Sequence, residues 1–295
     1  MKKILLIIAI VAVMAELWYL FITPYDYKVT FSVKTLPGTV NQTVKLWSNS
    51  LDDSKITNQA AINALDQQLT VGDHTYTYKW EMNLTNDSTT KVIVYISEPE
   101  NSLANKIAIP FVETQIEQDA ENNVTGFYNR INEHLDKIKV KVDGISEIKR
   151  SYCVYVPLTT SQVGKAGGMM NYYSLLSSFI LENNIETTGF PFVEITNWDM
   201  VNDSLSYNFC FPIIKTDTLP KTKLLKYKWL EQAKAIKATY NGNYITSDRA
   251  WYTLLHYAEK NDINVINKPI EIYHNNPNVD NNEKEWHADI YLPIK

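Results

Sequence analysis

The chain closes with Tyr240-Asn241-Gly242-Asn243-Tyr244, then Ala250-Trp251 with Leu254-Leu255, then Pro269 with Glu271-Ile272-Tyr273-His274, and finally Asp289-Ile290-Tyr291-Leu292-Pro293-Ile294. Slid back by about 78 positions, Trp251, Leu254, Tyr257, Ile263 and Pro269 fall on Tyr173, Leu176, Phe179, Ile185 and Pro191, which fixes a helix face, a connecting loop and a strand entry together. The strands Tyr207-Asn208-Phe209-Cys210-Phe211-Pro212-Ile213 and Ala288 to Ile294 then align once the second hairpin is given about three extra residues, an ordinary loop insertion. A repeat of strand, helix and hairpin implies two similar units with a groove between them.

These motifs, in this order, resemble the GyrI-like effector-binding family over roughly residues 146 to 295. The resemblance implies two strand–helix–strand–strand units related by a pseudo-twofold axis. It also implies that a small, often cationic or amphipathic, molecule binds in the groove between them, with an acidic residue matching Asp289 at the groove floor and aromatic walls around it. Aromatic faces attract cations through their quadrupole. This chain carries Asp where the family more usually has Glu.

Strand parity assigns the lining. On the closing strand Ala288, Ile290 and Leu292 share one face, and His287, Asp289 and Tyr291 share the other. Trp251, Leu254, Leu255 and Ala258 form a helical stripe that covers the apolar face, which sends His287, Asp289 and Tyr291 to the groove. The same logic buries Ile270 and Ile272 under the helix and turns Glu271 and Tyr273 toward the groove. Tyr155 and Asn208 line it from the first repeat, Asn208 standing opposite Asp289. Binding is expected rather than catalysis. The alternatives are a hydrolase of small strained molecules, with Asp289 or Glu271 as general base and Tyr273 or Tyr291 orienting water, and a protein-interaction module whose groove is filled by its own side chains.

Upstream, Tyr27, Val29, Phe31 and Val33 alternate with polar residues as a half-buried strand. Pro37-Gly38-Thr39 opens a short helix with Thr39 as its cap. The strictly alternating Tyr76 to Leu84 and its partner Lys91 to Ile96 form a hairpin. Lys106 to Glu113 reads as a further strand and Asn123 to Val142 as a long amphipathic helix ended by Asp143-Gly144. Strand, short helix, antiparallel strands and closing helix look like the START-like, or SRPBCC, helix-grip fold. Its usual Trp- and Pro-rich segment is replaced here by the polar stretch Asn49 to Gln59. The expected class is α+β, with an anchor at residues 1–24, a START-like domain at 25–143 and a GyrI-like domain at 144–295.

Lys2-Lys3 followed by the apolar run Ile4 to Ile22, with Glu16 near its far end, has the length and flank of a retained membrane helix, the alternative being a signal peptide. The expected location is a bacterial inner membrane with the body on the periplasmic side. A net charge of −5 and the lack of a basic stripe argue against a nucleic-acid surface. His74, His134, His256, His274 and His287 show no metal-ligand spacing, and no cofactor motif is present. Gly164, Gly167 and Gly168 precede a helix, yet no Lys-Ser or Lys-Thr follows as a phosphate loop requires, and Ser247-Asp248 at the matching place reads as a helix cap. Cys153 and Cys210 read as buried thiols or as a disulfide pair.

Overall fold

The computed structural model describes residues 2–277, 279 and 282–295, with two compact units, Met1–Asn132 and Glu133–Lys295. In the first unit α1 (Lys2–Phe21) is a single apolar helix, and no residue of its stretch Lys3–Phe21 is buried. A 20-residue helix rises about 30 Å, the thickness of a bilayer's hydrocarbon core.

The elements that follow are β1 (Tyr27–Val33), α2 (Pro37–Ser48), β2 (Ser54–Ala61), β3 (Ala64–Val71), β4 (His74–Asn86), β5 (Thr89–Ser97), α3 (Ser102–Ala108) and α4 (Gln115–Leu135). The strands form an antiparallel sheet in the order β1-β5-β4-β3-β2. Its alternating Tyr76, Tyr78, Trp80 and Met82 are fully buried with Val40, Val44, Phe127 and Ile131. Phe127 of α4 meets Trp80 at 4.9 Å and Trp47 of α2 at 5.4 Å. The Trp80 indole N–H finds the Gln67 amide oxygen at 3.0 Å, and the Tyr76 hydroxyl donates to Asp119 at 2.7 Å, so this core leaves neither group unpaired.

Several local expectations change. Residues 106 to 113 contain no strand. Asn101 and the helix-forming Ser-Leu-Ala-Asn-Lys-Ile-Ala run make α3, and buried Lys106 donates to the Thr23 carbonyl at 2.6 Å, while Phe111 stays 83% exposed. The long helix starts and stops earlier than its apolar stripe suggests: after Leu135 the chain turns, and Val140 and Val142 alternate with Lys139 and Lys141 in a strand. Gly144 is therefore mid-strand, not a helix cap. With φ +96 it sits at a bulge where Lys237 faces Gly144 and Ala238 faces Val142, so Asp143 is the extra residue. Thr39 lies inside α2, whose N-cap is Leu36, and its carbonyl accepts the Thr43 hydroxyl at 2.7 Å. The polar stretch 49–59 runs into β2, which pairs with β3 as a hairpin of irregular register.

The second unit contains β6 (Lys139–Ile148), β7 (Ser151–Thr160), α5 (Lys165–Glu182), β8 (Phe192–Asp199), β9 (Ser204–Pro212), β10 (Lys226–Leu230), β11 (Ala233–Asn241), α6 (Arg249–Lys260), β12 (Ile270–Tyr273) and β13 (His287–Pro293). They form one antiparallel sheet in the order β10-β7-β9-β8-β12-β13-β11-β6. The two repeats meet at β8 and β12, where Val193 faces Glu271 across the junction. Each repeat's leading strand crosses to the other's outer edge, β6 onto β11 and β10 onto β7. Ile148 and Leu230, from the two edge strands, join the same buried cluster, so the sheet curls until its margins approach.

Candidate functional site

The two faces of this sheet carry different chemistry. Register shows which residues share a face, because directly opposed partners in an antiparallel ladder point the same way. Asp289 faces Ile272 and Tyr291 faces Ile270. Ile272 then faces Phe192 and Phe192 faces Cys210, and Cys210 faces Tyr155. This face holds a packed cluster of Cys153, Phe192, Cys210, Ile270 and Tyr291, with Tyr155 and Ile272 against it.

The strand-parity expectation therefore holds for His287, Asp289 and Tyr291, but is inverted for β12. Glu271 and Tyr273 face Ile290 and Ala288, on the side covered by the helices. The sequence does not reveal this, because Ile270, Glu271 and Tyr273 are all buried; an Ile-x-Ile strand buried on both faces has no apolar side that marks the helix layer. Tyr155, Asn208, Asp289 and Tyr291 are thus on one face, and Glu271 with Tyr273 on the other.

On this face the Asp289 and Glu194 carboxylates each already have a lysine. Asp289 Oδ1 lies 2.9 Å from Lys237 Nζ, and its two oxygens lie 3.1 Å from His287 Nε2 and His274 Nε2. Burial pushes the Asp289 carboxyl up, but Lys237 and His274 outweigh it and hold the pKa below the ordinary value. Burial pulls the Lys237 ammonium down and Asp289 more than restores it. Burial also raises the Tyr291 phenol. In the other repeat Glu194 takes two bonds of 2.7 Å from Lys228 and one of 2.8 Å from Asn208. Asn208, the counterpart of Asp289, thus serves a neighbouring acid on β8.

The helix-side face centres on Lys165, at the start of α5. Its ammonium lies 2.5 Å from Glu271 Oε2, 2.8 Å from the Ser247 hydroxyl and 4.9 Å from the centre of the Trp251 ring. The Tyr273 hydroxyl donates to the same carboxylate oxygen, and so does Ser247 at 2.9 Å. Lys165, Glu271, Ser247 and Trp251 are all fully buried, while Glu271 Oε1 and the Trp251 indole N–H have no hydrogen-bond partner. Burial, then the Glu271 charge, drives the Tyr273 pKa well up, so this phenol stays a donor.

A second layer joins the two helix starts. Gln162, in the loop before α5, donates to Asp248 at 2.6 Å and accepts from the Trp198 indole at 2.9 Å, and Arg249 pairs with Asp248 at 2.9 Å. Asp248 is therefore tied up in this network rather than capping α6 with its side chain. The Tyr207 hydroxyl donates to the Lys165 carbonyl at 2.9 Å, and a β-carbon on Gly168 would sit 2.2 Å from the Tyr207 hydroxyl oxygen. Gly168 is thus needed for the close approach of α5 to the sheet.

The helices are unequally docked. α6 buries Trp251, Leu254 and Ala258 against Ala288, Ile290 and Leu292. α5 buries Lys165, Ala166, Leu176 and Ile180, and leaves Met170 71% and Leu181 79% exposed. Lys165 and Glu194 were not among the residues singled out by sequence. The one clue to Lys165 is its place beside Gly164, Gly167 and Gly168.

The sequence profile of the GyrI-like small molecule binding domain matches residues 151–295. No curated protein sequence matches the chain. Among solved structures the chain is similar to the EcmrR C-terminal domain, at 15% identity over 54% of this chain and 98% of that one, with a TM-score of 0.43. It is also similar to EcmrR in a complex with DNA (12% identity, 64% of this chain and 75% of that one, TM-score 0.46). A third is SAV2435 bound to tetraphenylphosphonium (13% identity, 52% of this chain and 94% of that one, TM-score 0.39).

Proposed function

Residues 151–295 form a GyrI-like small-molecule binding domain, and from that premise we propose that its ligand is an amphipathic cation received between α5 and α6, on Glu271. The observation that carries this reading is the Lys165 ammonium, which the fold seats among one carboxylate, the Ser247 hydroxyl and an indole face, with the Tyr273 hydroxyl donating to the same carboxylate. Such a box stabilises a cation away from water through charge, hydrogen bonds and the ring quadrupole. A ligand cation takes the place of the lysine when the start of α5 lifts. The exposure of Met170 and Leu181 further along α5 supports this helix as the element that moves. Of the residues expected from sequence, this reading keeps Glu271 and Tyr273 as ligand contacts and leaves Asp289, already paired with Lys237, outside it.

Titration of the full-length chain in detergent with tetraphenylphosphonium, followed by tryptophan fluorescence, tests the reading. Lys165→Met should tighten binding by removing the internal competitor. Glu271→Gln should weaken it by about 1–3 kcal/mol, the cost of a lost charge-assisted contact. No binding to either wild type or Lys165→Met, or equal affinity with and without the Glu271 charge, would overturn it.

For the rest of the chain we infer a membrane anchor in α1 with the body outside the cytoplasm, supported by the length and apolar character of Lys3–Phe21. We also infer a START-like N-terminal unit, supported by its antiparallel sheet and long closing helix α4. The net charge of −5 supports a partner other than nucleic acid.

A further inference from the structure

We propose that His274, His287 and Asp289 form a binding site for a divalent transition-metal ion of the zinc type, on the sheet face opposite the helices. Spacing along the sequence hides it: His274 follows β12, while His287 and Asp289 lie two apart on β13. In the fold one donor atom from each residue lies within 4.8 Å of the others. The histidine nitrogens stand 3.1 Å from the two Asp289 oxygens. Donors around a tetrahedral zinc, at bond lengths of roughly 2.0–2.2 Å, are about 3.3 Å apart, so these two histidine–carboxylate contacts need to open by only a few tenths of an ångström.

The surroundings hold these side chains in place. The two imidazoles stack at 4.4 Å and 12°, and the His274 backbone N–H donates to the His287 carbonyl at 3.0 Å, which fixes their spacing. Phe190 packs on the outer side of the His274 ring at 4.6 Å. His287 is held by its own N–H, which donates to Asn275 at 2.8 Å, and by its carbonyl, which accepts from Tyr244 at 2.8 Å. The Asp289 side chain is 12% exposed and the two rings 26% and 39%, so the carboxylate forms the floor, the rings form the rim, and the outer coordination position faces solvent. Two imidazoles and one carboxylate suit zinc, and the open position suits a water or a ligand donor.

The Lys237 charge works against the ion. It sits on Asp289 Oδ1, leaving Oδ2 as the metal donor, and it repels a cation there. Removing its charge should therefore strengthen metal binding, whereas losing a hydrogen-bonding partner usually weakens a site. That reversed sign separates a metal site from a simple acid–histidine–lysine cluster.

The test is calorimetric titration of the tag-free, metal-stripped full chain in detergent with Zn2+, and with Co2+, whose visible absorption reports tetrahedral coordination. One ion per chain is expected, reversible by EDTA. His274→Ala and His287→Gln should each weaken binding by roughly tenfold or more, Lys237→Met should tighten it, and His256→Ala should change nothing. His287→Gln sits at the exposed rim and keeps the fold testable if Asp289→Asn does not. Absence of stoichiometric binding, or binding that survives loss of both histidines, overturns the proposal.

Discussion

Lys165 Nζ and Glu271 Oε2 lie 2.5 Å apart, the first on the helix layer and the second on β12 where the two repeats meet, with neither side chain exposed. Taking both charges out of water is expensive, and their mutual attraction repays it only while both are present. Removing one should cost about 3–5 kcal/mol, because the other charge is then buried alone. Replacing both, as Lys165→Met with Glu271→Leu, should be near neutral. Urea unfolding of the four variants, read as a double-mutant cycle, checks this. Additive single-variant costs would show that the pair does not act as a unit.

His134 gives the chain an acid sensitivity. Burial, then the positive charge of Arg249, holds its pKa down at about 4, from an ordinary 6.5. A histidine depressed in the folded state contributes its stability above pH 6.5, and loses it as the pH falls and the unfolded chain takes up the proton first. The loss accumulates between pH 6.5 and about 4, and at 1.36 kcal/mol per unit amounts to about 3 kcal/mol. Unfolding midpoints measured across that range should fall for the wild type and flatten for His134→Asn. An unchanged slope would remove His134 from the account.

The sequence was legible where one face of an element is dry and the other wet. The α6 stripe of Trp251, Leu254 and Ala258 is of this kind, and the structure buries it as that pattern demands. β12 failed because both of its faces are covered, so only its cross-strand register, Ile272 opposite Asp289, settles which side Glu271 takes. The end of α4 failed for a different reason: Ile138 and Val142 continue the helical stripe by spacing, although Val140 and Val142 alternate with lysines on β6. Partners such as Lys165 for Glu271 and Lys237 for Asp289 come from elements far apart in the chain or from register, and no local pattern contains them.

Cys153 and Cys210 are free thiols, fully buried on the packed face. Burial, then the neighbouring Cys153, pushes the Cys210 thiol well above its ordinary range. The thiolate is the reactive species, so a buried thiol with a raised pKa is inert. Ellman's reagent should leave both unmodified in the native chain and titrate two thiols after denaturation without reductant. Rapid labelling of the native chain would mean that this face opens, and fewer than two thiols after denaturation would mean that the pair has oxidised.

The last expectation concerns α1. An apolar helix of this length, with none of its residues from Lys3 to Phe21 buried, exposes more apolar area than a soluble protein tolerates, and a bilayer removes that area from water. At about 25 cal/mol per Å2 the gain far exceeds the cost of burying the single Glu16 within the run. Lys2 and Lys3 would hold the N-terminus in the cytoplasm by the positive-inside bias. In a bacterial host the full chain should therefore stay with the membrane through alkaline carbonate washing, and its body should be cleaved by protease added to spheroplasts but not to intact cells. Deleting residues 1–22 should release it to the soluble fraction. A full-length chain that washes off with carbonate, or a body protected in spheroplasts, would rule out an anchored extracytoplasmic protein.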